Sequence, residues 1–560
     1  LKISENELKN QIVDETISIL EKNGDSLTLD FPIKLDANGN FQFTVKDQQL
    51  KNFLKDVYAK TDYDSMPDEQ KNATADDIME YLNTKVFDVS DSYSKEADLK
   101  IVGVRYKLWM NRYQQYVPVT IAYDISETSN AAITEHADEL PGMSVSVKSL
   151  RRYNDAKYFA HVIGYIGAIS DEEMKEKNAE LSDEEQYTNE EMIGKTGIEQ
   201  YCESYLRGTN GLETMYVDNL GKVLKIDDST RVEPVAGNDT YLTIDSSWQS
   251  AIYQILKQRV AGILLSKIEA SKTYDFSVND AAQIKIPIYD VYNALIANSV
   301  IDISKFSDAN ASDTEKNLYA KFQQKQQRVF DTISTKLNGS NPPAYKDEDE
   351  ETQEYLSYIC NDLLRDTLGI ISKDAIDTSD ATYKAWTTDE TISLKDYLTY
   401  ATSQGWIDIS SFSPEGEYLD SEEIYQALTA YIIDYLSTDT GFSKLLYKYM
   451  LQEDTISGQE ICLVLYEQGV LDKNDDDYEN LASGAMGAYD FMINKIYTLE
   501  IEPAQLALTP CSASAVVTDA KTGKVLACVS YPGYDNNRLS NNMDTSYYTK
   551  LALDQSSPFF

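Results

Sequence analysis

Three short motifs in this sequence use residue types that can do covalent chemistry. Ser92-Tyr93-Ser94-Lys95 has the Ser-x-x-Lys spacing, and Lys-Thr-Gly occurs at 195–197 and again at 521–523. In serine acyl transfer the serine opens a buried helix, and a lysine one turn later takes its proton. Ser92 lies instead in the acidic, polar stretch 88–96. An exposed lysine there keeps its proton and cannot serve as the base. Ser92 is not expected to be a nucleophile. Lys521-Thr522-Gly523 reads as a hairpin turn in which glycine supplies positive φ. Gly194-Lys195-Thr196 looks like the end of a phosphate-binding loop, but position 189, where that loop needs glycine, is Asn. No nucleotide is expected there.

Metal and thiol chemistry are equally thin. Asp472-Lys473-Asn474-Asp475-Asp476-Asp477 begins like a calcium loop, yet the glycine and glutamate such a loop needs are replaced by Asp477 and Ser483. A solvated acidic loop is expected. The two histidines, His136 and His161, cannot build a multi-histidine site. His161, within the apolar stretch 159–165, reads as a core or interface histidine. The cysteines at 202, 360, 462, 511 and 528 are odd in number and widely spaced. They form neither a disulfide framework nor a zinc knuckle, and are expected to be buried or partly buried thiols. No catalytic residue, metal site or cofactor site is therefore expected.

The whole chain narrows the field further. Its 560 residues suggest three or four domains at roughly 150 residues each. With 50 Lys and Arg against 93 Asp and Glu, the net charge is −43. That excess excludes nucleic acid, whose binders neutralise phosphates with basic patches, and disfavours anionic membrane surfaces. At 42% hydrophobic residues, with 41 tyrosines, the chain should still fold and bury many rings with polar rims. No apolar run approaches the 18 or so residues of a membrane span; 261–265 is among the longest. Leu1-Lys2-Ile3-Ser4-Glu5 is neither an initiator methionine nor a signal peptide, so the chain is expected to be part of something longer.

The elements follow from period and turn chemistry. Alternating Leu27 to Leu35 and Phe41 to Val45, around Asp36-Ala37-Asn38-Gly39-Asn40, predict a hairpin. Helical spacing appears at 47–59 and 75–85, extended structure at 100–124, and a short helix at 128–139. A second hairpin is expected from 214–218 and 222–226 through Asn219-Leu220-Gly221. Ser246 is expected to cap a helix with Ile252, Ile255, Leu256, Val260, Ile263, Leu264 and Ile268 on one face. Residues 270–505 read as mostly helical with no clear repeat, and 514–530 as a final hairpin with its turn at 520–523.

The order of several segments resembles the class B penicillin-binding proteins. The matching pieces are Arg105-Tyr106 through 116–122, Leu140-Pro141-Gly142 with Arg152-Tyr153, and the run 159–167 with His161, Gly164 and Gly167. Next come Gly194, Gly197 and Glu199 within 193–199, then Arg207-Gly208 with Gly211, and Val217-Asp218 with Gly221. Asp245 with Gln249, Gly523, and Pro532-Gly533-Tyr534-Asp535-Asn536-Asn537 complete the series, with Asn536 where the family usually has Pro. The resemblance implies an α+β multidomain chain. Residues 1–236 would be a mixed α/β pedestal of the dimerisation type, and 237–269 the leading strand and first helix of a β-lactamase-like transpeptidase domain. Residues 270–505 would be an acidic, Tyr-rich helical insertion, and 506–560 the first hairpin of that domain. Arg105, Arg152, His161, Gly164, Gly167, Gly194, Gly197, Glu199, Arg207, Gly208, Asp245, Gly523, Pro532, Asp535 and Asn537 would be structural motif residues.

The same resemblance implies a whole protein that cross-links peptidoglycan outside the bacterial membrane. Stem peptides and β-lactams would bind only its catalytic half, whose Ser-x-x-Lys, Ser-x-Asn and active-site Lys-Thr-Gly motifs are not found here. Cell-wall synthesis or division proteins would bind the pedestal. Membrane attachment would come only from an N-terminal anchor outside this chain. The alternative is an extracellular structural or adhesive protein that shares the pedestal without the enzyme.

Overall fold

The computed structural model describes residues 4–553 apart from 29–30, 37–38, 46, 64, 91, 114–117, 147–149, 180, 183–185, 190, 218–222, 276, 278–279, 281–282, 374, 410–411, 413–419, 475 and 542. It divides into two units. One comprises Leu1–Arg151, Ser182–Glu185 and Ser204–Asp239; the other comprises Arg152–Leu181, Gln186–Glu203 and Thr240–Phe560.

The first unit opens with α1 (Glu5–Lys22), which the sequence pattern missed. Ser4 caps it by accepting from the Glu7 amide at 3.0 Å, and Val13, Ile17 and Leu20 are buried. The first hairpin forms as expected: β1 (Ile33–Leu35) pairs antiparallel with β2 (Phe41–Phe43). Asp36 accepts from the Asn40 amide at 2.8 Å, while 37–38 lie outside the described residues. Helices α2 (Asp47–Val57) and α3 (Ala75–Tyr81) follow at the expected places.

The extended structure expected at 100–124 is overturned over 100–110, while 114–117 lie outside the described residues. Residues Lys95–Met110 form a helix, α4, capped by Ser94. Residues 101 to 106 are all buried, so no polar face marks the 3.6-residue period, and the β-branched residues imitate a strand. The Ser94 cap, with Glu96 and Asp98 in the first turn, was the legible signal. α4 lies against α1, where Arg105 donates to Asn6 and Asn10. The expected short helix is α5 (Glu127–Glu135).

In the second unit, α6 (Ala156–Ile163) leads into β3 (Ile166–Ala168), α7 (Asp171–Asn178), β4 (Met192–Gly194) and α8 (Gly197–Tyr201). β3 and β4 pair antiparallel. The second expected hairpin, in the first unit, is β5 (Leu212–Val217) with β6 (Val223–Val232); its turn at Asn219-Leu220-Gly221 lies outside the described residues.

Helix α9 (Ser246–Lys267) is capped by Asp245, not Ser246. The Asp245 carboxylate accepts from the amides of Ser247 and Trp248 at 2.9 and 3.1 Å. Its buried face is also shifted: Ile255 and Ile263 are about half exposed (53% and 49%), whereas Gln249 is fully buried. The helix serves two cores. Tyr253 and Val260 pack with Ala527, Val529 and Tyr531, while Ala261, Leu264 and Ile268 belong to the helical core beyond. One helix facing two partners in succession does not write a single stripe.

Residues 270–505 are largely helical, as the sequence suggested. They start at a parallel pair, β7 (Ile268–Glu269) with β8 (Ile286–Pro287). Four ten-residue helices here, α10 (Ile288–Ala297), α11 (Leu394–Ser403), α12 (Gly458–Glu467) and α13 (Ala488–Tyr497), end alike. Each is followed two residues later by a left-handed residue, Ser299, Gly405, Gly469 or Leu499. A buried branched residue then follows: Ile301, Ile407, Leu471 or Ile501. This is a helix stop that turns orphan carbonyls inward and adds an apolar contact. The helices start at unequal intervals, so no fixed period marks them in the sequence. Many tyrosines bury the ring and offer the hydroxyl to a rim carboxylate, as Tyr289 does to Asp454 and Tyr355 to Glu351, both at 2.7 Å.

The last hairpin is β9 (Ala513–Thr518) with β10 (Val525–Tyr531). Gly523 sits in its turn at φ 72°, as expected.

Candidate functional site

The motif residues of the second unit converge where 152–203 meets 532–540. Helix α6 ends at Gly164, whose backbone (φ 78°, ψ −155°) lies in a region essentially restricted to glycine. A Cβ there would fall 1.9 Å from the Thr196 carbonyl oxygen. Gly197, at φ 61°, approaches from the other side; its Cβ would lie 2.7 Å from the Gly164 nitrogen. Gly194 would meet the Glu199 backbone at 2.1 Å. These glycines let two backbones touch.

Polar side chains fasten the contact. Tyr153 and Asn537 exchange hydrogen bonds: the Tyr153 amide donates to Asn537 Oδ1 at 2.8 Å, and Asn537 Nδ2 donates to the Tyr153 carbonyl at 3.0 Å. The Tyr153 hydroxyl donates to buried Glu199 at 3.2 Å and accepts from the Ile166 amide at 3.1 Å. His161 Nε2 lies 2.9 Å from the Pro532 carbonyl oxygen, and its ring packs edge-on to Tyr534. Asp535 accepts from the Asn537 amide at 3.0 Å and opens the turn Asn536–Arg538. Gly533 packs so closely that a Cβ would lie 1.9 Å from the Lys157 carbonyl oxygen.

A second fastening closes the outer edge of β10. The Asp245 amide donates to the Leu526 carbonyl at 2.9 Å. Gln249 behaves like a strand residue: it accepts from the Cys528 amide at 2.9 Å and donates to the Cys528 carbonyl at 2.7 Å. It also donates to the Tyr158 carbonyl at 2.9 Å. Gln249, Tyr153 and Asn536 lie in the segments that carry the resemblance but were not among the expected motif residues; their partners single them out.

Other expected residues stand elsewhere. Arg105 belongs to the first unit, where it stacks over Phe87 at 5.1 Å. Arg152 is exposed. Arg207 and Gly208 lie in the first unit, Gly208 at φ 73° with room for no Cβ against Val235. Gly167 faces the Lys195 side chain, which forms a 2.6 Å ion pair with Glu173. Lys195 and the Ser170 amide hold the Glu173 carboxyl down at about 2. A depressed carboxyl contributes stability that is fully present above its unfolded value near 4.5 and is lost as pH falls toward 2. In wild type against Glu173→Gln, thermal unfolding from pH 7 to 3 should show the wild-type advantage fading over that window. The pair is partly exposed, so the advantage should not exceed about 1 kcal/mol.

The Ser-x-x-Lys spacing does not bring its residues together. Ser92 Oγ is 2.9 Å from Ser90 Oγ, whereas Lys95 Nζ donates to the Gly39 carbonyl at 3.0 Å and lies over the Phe41 ring. Among the described residues no group of three or more His, Cys, Asp or Glu could hold a metal ion, and no helix is long and apolar enough to cross a membrane. The converging residues form a hydrogen-bonded joint between 153–166 and 532–540.

Residues 8–242 match the family model of the penicillin-binding protein dimerisation domain. Peptidoglycan D,D-transpeptidase MrdA of Acinetobacter baumannii is 32% identical over 160 residues, covering 29% of this chain and 23% of that protein. Penicillin-binding protein 3 of Bacillus subtilis is 30% identical over 179 residues, covering 31% and 24%. The chain thus spans about a quarter of the length of these relatives. Penicillin-binding protein 2B of Streptococcus pneumoniae is a solved structure with 18% identity and a TM-score of 0.25, over 47% of this chain and 40% of that one.

Proposed function

We propose that this chain is the non-catalytic pedestal region of a peptidoglycan D,D-transpeptidase, continuous with the first elements of the catalytic domain. The observation that carries the reading is the joint itself: Tyr153, His161 and Gly164 of the neck hold Pro532, Asn536 and Asn537 just after β10. A pedestal that must present a catalytic domain needs such a rigid, hydrogen-bonded seat. In our reading 1–236 is the pedestal, 237–269 and 506–560 begin the catalytic domain, and 270–505 is an insertion into it.

In the reaction of the whole protein, a serine attacks a D-Ala-D-Ala stem peptide, D-Ala leaves, and a neighbouring strand's amine takes the acyl group. A lysine base and an oxyanion hole are required. Ser92 and Lys95 do not meet that need. The pedestal would contact other cell-wall synthesis or division proteins on the outer side of the membrane, with the anchor in the longer protein. Fluorescent penicillin tests the reading. This chain should take up none, and a protein extended past Phe560 should take up one equivalent. One-to-one labelling of this chain, or none of the extended protein, would overturn it.

A further inference from the structure

The geometry points to Asn536 as a positioning residue: it locks the C-terminal end of α6 to the turn after β10 by donating its side-chain amide to two helix carbonyls. Asn536 is 1% exposed. Its Nδ2 donates to the Gly164 carbonyl, 372 positions away, and to the Ala160 carbonyl at 3.4 Å. Ala160 also receives the Tyr534 hydroxyl at 3.2 Å. The last carbonyls of a helix have no partner within it and carry the negative end of its dipole. Here the Ala160 carbonyl accepts the Gly164 amide at 2.8 Å, and side chains from a distant segment add to it and cap the Gly164 carbonyl just past the helix.

The cost of this arrangement identifies its role. Asn536 Oδ1 is buried with no hydrogen-bond partner, and an unsatisfied buried acceptor is destabilising. An amide would be a poor filler at this position unless its donors did more than offset that loss. The Gly164 amide caps the Ala160 carbonyl at 2.8 Å, but position 164 has no room for a side chain beside Thr196, so the Gly164 carbonyl takes its donor from Asn536. The lock therefore sets where the chain leaves β10. Its consequence for acyl transfer rests on the function proposed above, but the lock itself does not.

Two variants separate donation from packing. Asn536 opens a short 3-10 turn, a first position that tolerates proline, so Asn536→Pro keeps the turn and removes the donors. Asn536→Asp keeps the shape, removes the donors and places a carboxylate against two carbonyls. Burial there raises the new carboxyl above its unfolded value near 3.9, so the deficit should be full well above neutral pH and fade as the group protonates and regains an O–H donor. His161, Tyr153, Tyr165, Tyr534, Asp535, Arg538 and Tyr547 surround this turn. They are common to both proteins, so the comparison at each pH is like for like.

We expect Asn536→Pro to lower Tm by about 3 °C and Asn536→Asp by about 6 °C near pH 8. The Asn536→Asp deficit should fall below half near pH 4.5. Hydrogen exchange at 160–168 should quicken roughly tenfold in Asn536→Pro, a readout that stands even if Asn536→Asp fails to fold. Wild-type stability and exchange in Asn536→Pro, or an Asn536→Asp deficit that does not change with pH, would overturn the lock. Penicillin labelling bears on neither result.

Discussion

Replacing Gly164 with alanine is expected to cost the second unit about 4 kcal/mol or more, the largest effect of any single methyl group in the joint. Two costs add. The backbone at φ 78°, ψ −155° is one that side chains rarely adopt. The new Cβ would also fall 1.9 Å from the Thr196 carbonyl oxygen and 2.4 Å from its carbonyl carbon. Neither atom is the far end of a flexible side chain, so backbone must move. The strand pair β3–β4, the Tyr153–Asn537 exchange and the Asn536 contacts would shift with it. Urea unfolding followed by tyrosine fluorescence should show a midpoint loss of that size, while the first unit's transition is unchanged. A loss under about 1 kcal/mol would mean the two backbones are not held this close.

Gln249→Leu is expected to cost about 3 kcal/mol, although the side chains are close in size. Leucine would leave the Cys528 amide, the Cys528 carbonyl and the Tyr158 carbonyl without the partner they have now. Gln249 is fully buried, so water cannot easily take its place. Gln249→Glu should be worse above neutral pH, since a carboxylate cannot donate to the two carbonyls. Amide exchange at Cys528 gives the specific signature: it should become fast in Gln249→Leu while exchange inside α1 stays slow. A protected Cys528 amide in that variant would remove Gln249 from the edge of β10.

Local chemistry in the sequence settled the elements that depend on neighbours. Turn residues around Asp36 and at Ala520 to Gly523 marked two hairpins that form where expected. Apolar spacing marked α2, α3 and the helical character of 270–505. The same local signals failed where burial is all-round or changes partner. α4 buries six residues in a row and so shows no period. α9 turns from the β10 core to the helical core along its length, so the stripe drawn from its sequence exposes Ile255 and Ile263.

The motif residues divide in the same way. Gly164, Gly197 and Gly208 were marked from sequence through the resemblance, and each takes a positive φ that glycine alone adopts readily. What they face could not be marked that way. Thr196, Ile163 and Val235 are ordinary residues that matter only through the approach of a second segment. The sequence by itself determined the order of the segments that resemble the penicillin-binding proteins and the chain's acidic excess. Tertiary structure alone decided that Tyr153, Gln249 and Asn536 hold the joint. A hydrogen bond across some hundreds of positions depends on two surfaces meeting, and neither strand of sequence carries a record of the other.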